Sequence, residues 1–263
     1  LDGFVARGHD VGLVVEPGSV LAEAAAEAGV EVLDWPSITR NPHPVRDVRA
    51  RRELAAAVRS FRPDVLALNS AKAGVLGRGL LRPPDGVTVF TCHHLSFGPG
   101  RKLSHRIAGR PVEQLSLPLV DAIISDGARD MPALARFSRG VPVHLVANAI
   151  QVRHDPLGPV EPSPNGLWVA RMAHPKDPRL AIRAWAKVAR AKPGAVLTMA
   201  GRGSLHDRIA GWIEAAGAGG AVAAPGFVDD IDAEYRRAGV FLLTSHVEGG
   251  ITMATLEAMS NGL

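Results

Sequence analysis

The chain reads as an α/β protein made of two doubly wound parallel-sheet units, and three observations predict this. Short β-branched runs alternate with helical patterns along almost its whole length. Most of those runs are continuous apolar stretches, the pattern of parallel strands covered on both faces. One break, holding Pro156, Pro159, Pro162 and Pro164, interrupts the alternation and is a linker, because prolines at that density suit neither helix nor central strand. Two Rossmann-like domains facing a cleft follow, at residues 1–150 and 166–263, with the linker at 151–165. Ligands of such sheets bind beyond the carboxyl ends of the strands.

Taken in order, Leu1 to Gly8 reads as the end of a helix: Leu1 and Val5 share a face, and Gly8 sits where a left-handed cap is expected. Strands are predicted at Val11–Glu16, Glu31–Asp34, Val65–Asn69, Val87–Cys92, Ala122–Ser125 and Val143–Ala147. Beyond the break they are predicted at Gly166–Ala170, Ala195–Ala200, Ala221–Ala224 and Val240–Thr244. Over Asp47–Phe61 the residues Val48, Leu54, Ala55, Val58 and Phe61 form an apolar stripe, with Arg49, Arg52 and Arg59 on the other side. In Asp177–Arg190 the polar face is Arg179, Arg183, Lys187 and Arg190, a solvated surface. Thr252 to Ser260 is a helix that Asn261-Gly262 stops. A helix without a lead-in, and an end where the next strand is due, read as an internal fragment of a longer protein. On that reading the first strand of the first domain and the rest of the second are missing.

Composition narrows the function classes. With 263 residues, 46% of them hydrophobic, and a net charge of only +4, the chain can bury a core and is not disordered. No apolar run approaches the ~20 residues of a bilayer-spanning helix. The single Cys92 cannot form an internal disulfide, which favours a reducing compartment, the cytoplasm. Positive charge is mostly arginine and is concentrated between Arg40 and Arg62 and between Arg101 and Arg110. No aromatic residues interleave with it as a base-stacking platform would require, so nucleic acid is not the expected partner. The segment with Arg101, Lys102, Arg106 and Arg110 can meet anionic lipid at the inner face of a membrane, or be a soluble basic helix.

Three stretches can carry chemistry. Arg171 stands at the end of an apolar strand and Lys176 at the mouth of the next helix, two cations suited to a diphosphate. Gly201-Arg202-Gly203 is a strand-to-helix turn in which glycine lets backbone approach a ligand. His206 stands where a dinucleotide fingerprint would have its third glycine, which weakens a dehydrogenase reading. In the third stretch, Glu248-Gly249-Gly250-Ile251 precedes a helix whose first backbone N–H groups favour an anion. Glu248 and Glu257 can accept hydrogen bonds from sugar hydroxyls, as an acidic group beside a ribose does. No Asp-x-Asp pair or His/Cys cluster with ligand spacing marks a metal site.

Together, Arg171 to Pro178, the Gly201-x-Gly203 turn, Gly226-Phe227-Val228-Asp229-Asp230 and Ser245-x2-Glu248-Gly249 with Leu256-Glu257-Ala258-Met259 resemble the donor-binding half of family 4 glycosyltransferases. The amino half is similar to that family as well, at Arg7-Gly8-His9-Asp10-Val11, at Asn69 to Arg78 and at Thr91-Cys92-His93. The resemblance implies a GT-B fold and transfer of a sugar, with retention, from a nucleoside-diphosphate sugar to an acceptor hydroxyl, with no metal and no further cofactor. It implies that Arg171 and Lys176 hold the diphosphate and that Glu257 takes the ribose. Glu248 would take the sugar hydroxyls, His93 would face the donor sugar, and Gly201 and Gly203 would line the nucleotide. The acceptor stays open; a basic segment resting on anionic lipid would suit a lipid-linked or envelope glycan.

The sequence departs from the family pattern in three places. Eight residues separate Glu248 from Glu257, one more than the family has, and the extra one is expected in the Gly249-Gly250 loop. Asn148-Ala149 replaces the family's Asn-Gly turn, and Asn69 stands where many relatives carry histidine. Two other readings stay open: a fragment that binds nucleotide sugar without transferring it, and a nucleotide-sugar epimerase on the same scaffold.

Overall fold

The computed structural model of the chain describes residues 1–39, 42–79, 86–95, 103–152 and 163–263, without the side chains of 103–106 and 108. The chain divides into two compact units, Leu1–Val146 and Ala147–Leu263. Unit 1 runs α1 (Asp2–Val5), β1 (Gly12–Val15), α2 (Val20–Glu27), β2 (Glu31–Asp34), α3 (Pro44–Phe61), β3 (Val65–Leu68), α4 (Ala71–Gly77), β4 (Val87–Cys92), α5 (Leu103–Ser116), β5 (Ala122–Ser125), α6 (Met131–Phe137) and β6 (Val143–Leu145). Unit 2 continues with β7 (Gly166–Val169), α7 (Pro178–Ala191), β8 (Leu197–Ala200), α8 (Ile209–Ala215), β9 (Val222–Gly226), α9 (Ile231–Arg237), β10 (Val240–Phe241) and α10 (Met253–Ser260). Every predicted strand is present.

All strand pairs are parallel. In unit 1, β1 and β2 form one sheet and β3-β4-β5-β6 another. One core joins them: Trp35, Leu54, Val58, Leu68, Phe90 and Ile123 are buried together, with Val14 of β1 packed against them. Trp35 Nε1 donates to the Ala50 carbonyl at 2.7 Å and pins β2's loop to α3. The strands of the larger sheet alternate, however. In β3, Leu66 and Leu68 are buried while Val65 and Ala67 are exposed, so this sheet is covered more fully on one face than the apolar runs predicted. On α3 the buried stripe is Ala50, Leu54 and Val58, and Val48 is exposed rather than part of it.

Unit 2 has the order β10-β7-β8-β9, so the chain steps from β7 to one side and returns with β10 on the other. Both faces of β7 are covered, as predicted. Trp168 packs with Ile182 and Trp185 of α7 in one cluster, and Leu167 with Tyr235 and Ala258 in another. Helices α7, α9 and α10 start on side-chain caps: Asp177, Asp230 and Thr252 accept from the backbone N–H groups of Leu180, Ala233 and Thr255. The proline-rich segment lies mostly outside the described residues. Its last residues are tied into unit 2, where Ser163 Oγ donates to the Arg237 carbonyl and Asn165 Oδ1 accepts from Val196 N. Among the described residues no helix is long and apolar enough to cross a membrane.

Candidate functional site

In an open parallel sheet the ligand crevice lies at the carboxyl ends of the strands where the order reverses. In unit 2 that place is between β7 and β10. Arg171 and Lys176 follow β7, and Glu248 follows β10. The loops meet there: Lys176 Nζ donates to Glu248 Oε1 at 2.5 Å, with both side chains mostly buried. Two residues predicted to hold different parts of a ligand are therefore each other's partner. The extra residue before Glu257 does not carry Glu248 away from Lys176. Arg171 is exposed and has no side-chain partner among the described residues.

Further contacts of Thr244 and His246 hold the loops together. Thr244 Oγ1 lies 2.9 Å from the Lys176 carbonyl and 3.0 Å from that of Asp177, while it accepts from Trp168 Nε1 at 3.0 Å. His246 Nε2 sits 2.8 Å from Asp177 Oδ2, and the His246 ring lies 6.5 Å from that of His174 at 25°. Asp177 adopts φ 44°, a left-handed conformation that is rare outside glycine, at the residue that caps α7. That engagement also explains why β10 is short: Leu242 N still donates to the Leu167 carbonyl of β7, but beyond it Thr244 binds the β7 loop instead. On the far side of Gly249-Gly250, the Ile251 carbonyl accepts from Asn148 Nδ2 at 2.9 Å, just before α10. The neighbouring Ala149 is not among the residues with positive φ, so replacing glycine there carries no backbone strain.

Gly201 and Gly203 sit hard against protein backbone. A Cβ at Gly201 would lie 2.1 Å from the Ala170 carbonyl oxygen, and one at Gly203 would lie 2.4 Å from that of Met172. What approaches these glycines closely is the β7 loop itself. Met172 N donates to the Arg202 carbonyl and Leu205 N to the Met172 carbonyl, which stitches the two loops together. Their glycines are explained by this protein-to-protein approach, and no ligand is needed to account for them. Glu257, on α10, is held from behind: Tyr235 of α9 donates to its Oε2 at 2.9 Å.

In unit 1, His93 directly follows β4 and is half exposed. Its Nδ1 lies 2.9 Å from Asp126 Oδ2, just past β5. A carboxylate at Nδ1 orients the ring and leaves Nε2 as its outward nitrogen. The other oxygen of Asp126 is buried without a hydrogen-bond partner. Next to it, Asp130 accepts from Leu95 N at 3.1 Å and faces His94 Nδ1 at 3.7 Å. Cys92 is buried, and desolvation followed by the Glu113 and Asp130 charges pushes its thiol up to about 12, so it is not a nucleophile at neutral pH. Of the basic segment, Arg101, Lys102 and the Arg106 side chain lie outside the described residues, and Arg110 sits over the Phe137 ring at 5.8 Å.

Comparison with known proteins follows the same division. Residues 1–149 match the glycosyl transferase 4-like domain family, and residues 153–263 match glycosyl transferases group 1. The chain belongs to the group 1 glycosyltransferases. Its fold is the two-domain, Rossmann-like GT-B fold, which solved structures share. Anabaena HepE in complex with UDP and glucose is 16% identical with a TM-score of 0.78, over 99% of this chain and 73% of that one. Sucrose-phosphate synthase from Thermosynechococcus elongatus is 17% identical with a TM-score of 0.77, over 99% and 71%. An S. aureus TarM variant in complex with fondaparinux, α-GlcNAc-glycerol and UDP is 14% identical with a TM-score of 0.65, over 81% of this chain. The chain spans only 43% of that protein's length. No curated protein matches the chain.

Asp126, Asp177, Thr244, His246 and Tyr235 are the residues of the candidate site to which the motifs gave no role. One local signal was available: Asp177-Pro178 is the pairing of a capping carboxylate with proline in the first helical turn. The others act across long sequence separations, which no local pattern encodes.

Proposed function

We propose that this glycosyltransferase moves a sugar from a nucleoside-diphosphate sugar to an acceptor hydroxyl, with retention at the anomeric carbon and without a metal. The observation that carries the reading is the meeting of Lys176 and Glu248 at the switch point of the unit 2 sheet, with the exposed Arg171 on the same loop as Lys176. Anabaena HepE with UDP and glucose supports a nucleotide-sugar donor, and the TarM variant's glycan and glycerol-linked ligands support a carbohydrate acceptor. In this mechanism the bond from the anomeric carbon to the diphosphate breaks while the acceptor oxygen bonds to that carbon. The acceptor proton passes to the departing diphosphate. Arg171, Lys176 and the first turn of α10 behind Ile251 neutralise the leaving group as its charge grows. Lys176 exchanges Glu248 for phosphate, and the freed carboxylate takes sugar hydroxyls. Glu257 binds the ribose, and His93, oriented by Asp126, faces the sugar. The basic segment from Arg101 to Arg110 rests on anionic lipid at the cytoplasmic face, where a lipid-linked acceptor would be presented.

The test is a thermal-shift titration with UDP, GDP, ADP and nucleotide sugars on the wild type and Lys176→Ala. Saturable stabilisation by one nucleotide, of about 2.7 kcal/mol at a hundredfold excess over Kd, is expected and must vanish in the variant. A folded wild type that responds to none refutes the reading. The anomeric configuration of the product decides retention, which an inverted product overturns.

A further inference from the structure

We propose that Tyr235 is a positioning residue for nucleotide recognition: its hydroxyl holds Oε2 of Glu257, leaving Oε1 for the ribose hydroxyls of a nucleoside diphosphate. The proposal deepens the reading of Glu257 as the ribose ligand and rests on it. Tyr235 is only 1% exposed, and its ring is fixed among Leu167, Ala238 and Ala258, with Phe241 at 6.4 Å. Its hydroxyl reaches Glu257 Oε2 at 2.9 Å and the Ala254 carbonyl at 3.2 Å. A phenol has one proton to give, and the nearer, charged oxygen takes it.

A glutamate on a helix face has several side-chain torsions to order before it can hold a diol. Here a ring locked in the core does that ordering in advance, and among the described residues the Glu257 side chain has no other partner. Burial, then the bond to Glu257 and its charge, push the Tyr235 phenol upward, so it remains a donor throughout the working pH range. Purely structural satisfaction of a buried phenol needs only the Ala254 carbonyl. The choice of a ligand-side carboxylate links the core of unit 2 to the site.

Wild type, Tyr235→Phe and Glu257→Gln are titrated calorimetrically with UDP, GDP and ADP, and the nucleotide that binds is compared with its 2′,3′-dideoxy form. Tyr235→Phe is expected to weaken the ribonucleotide about tenfold and the dideoxy form less than twofold. Equal weakening of both forms, or of neither, overturns the role of Tyr235. An unchanged ribose preference in Glu257→Gln, or a wild type that binds no nucleotide, overturns the ribose reading beneath it and the proposal with it. Tyr235 is the chain's single tyrosine, so [4-13C]tyrosine labelling gives one phenol-carbon resonance. It must shift on nucleotide addition and in Glu257→Gln, and a resonance indifferent to both overturns the proposal without any need for Tyr235→Phe to fold.

Discussion

Replacing Glu113 with leucine would strand a guanidinium in the core of unit 1. Arg78 Nη1 donates to Glu113 Oε2 at 2.6 Å, and the two side chains are 0% and 3% exposed. Arg78 Nε is spent on the Gly74 carbonyl at 2.9 Å, and the guanidinium lies 4.3 Å above the Phe90 ring. Nη2 already has no hydrogen-bond partner. No spare acceptor is therefore at hand, and the uncompensated charge should cost about 3–5 kcal/mol. The double variant Arg78→Met with Glu113→Leu should recover most of that, because apolar replacement of a whole buried pair is close to neutral or stabilising. Hydrogen exchange read by mass spectrometry resolves the effect by region. Peptides from β4 and β5 should exchange about 10²–10⁴-fold faster in Glu113→Leu, while β7 and β8 of unit 2 serve as the internal reference. Exchange in β4 and β5 within about threefold of wild type would refute the reasoning. So would a double variant as damaged as the single one, since the loss would then be one of packing rather than of stranded charge.

Gly203→Ala should lower the melting temperature of the ligand-free chain by on the order of 5–15 °C, since its Cβ meets backbone 2.4 Å away. An unchanged melt with lost nucleotide binding would restore the ligand-approach explanation. Asp177→Ala should be less stable than Asp177→Gly by about 1 kcal/mol in urea unfolding, because both lose the cap but only glycine tolerates φ 44°. Cys92 ionises near 9.0 when exposed and at about 12 when folded, so its contribution is intact below about pH 9 and lost above it, at about 1.4 kcal/mol per pH unit. Urea unfolding between pH 8 and 10.5 should show that slope, and Cys92→Ala should flatten it.

The strands were legible because β-branched, apolar runs favour extended backbone even where, as in Val87–Cys92 and Ala122–Ser125, only alternate residues are fully buried. Val48 misled because the stripe on α3 is narrower than its hydrophobic pattern, and Ala50, roughly half a turn further on, faces inward with Leu54 and Val58 instead. The candidate site was legible as residue types that the fold brings together, Lys176 and Glu248 above all, but not as partnerships. Nothing in the Gly-x-Gly turn distinguishes a ligand from the Ala170 and Met172 carbonyls, since either demands the absence of a side chain. Thr244 and Tyr235 look like ordinary strand and helix residues until the fold brings them to the loop carbonyls and to Glu257.

The tryptophans are unevenly shared. Trp35 is the one in unit 1, bonded to the Ala50 carbonyl, whereas Trp168, Trp185 and Trp212 belong to unit 2. Intrinsic emission is thus weighted toward unit 2, and a melt followed by fluorescence alone would scarcely register the opening of unit 1. Ellipticity weighs both units by their helices and strands. Where the two signals part company along a denaturant series, the gap between them measures how independently the halves of this chain come undone.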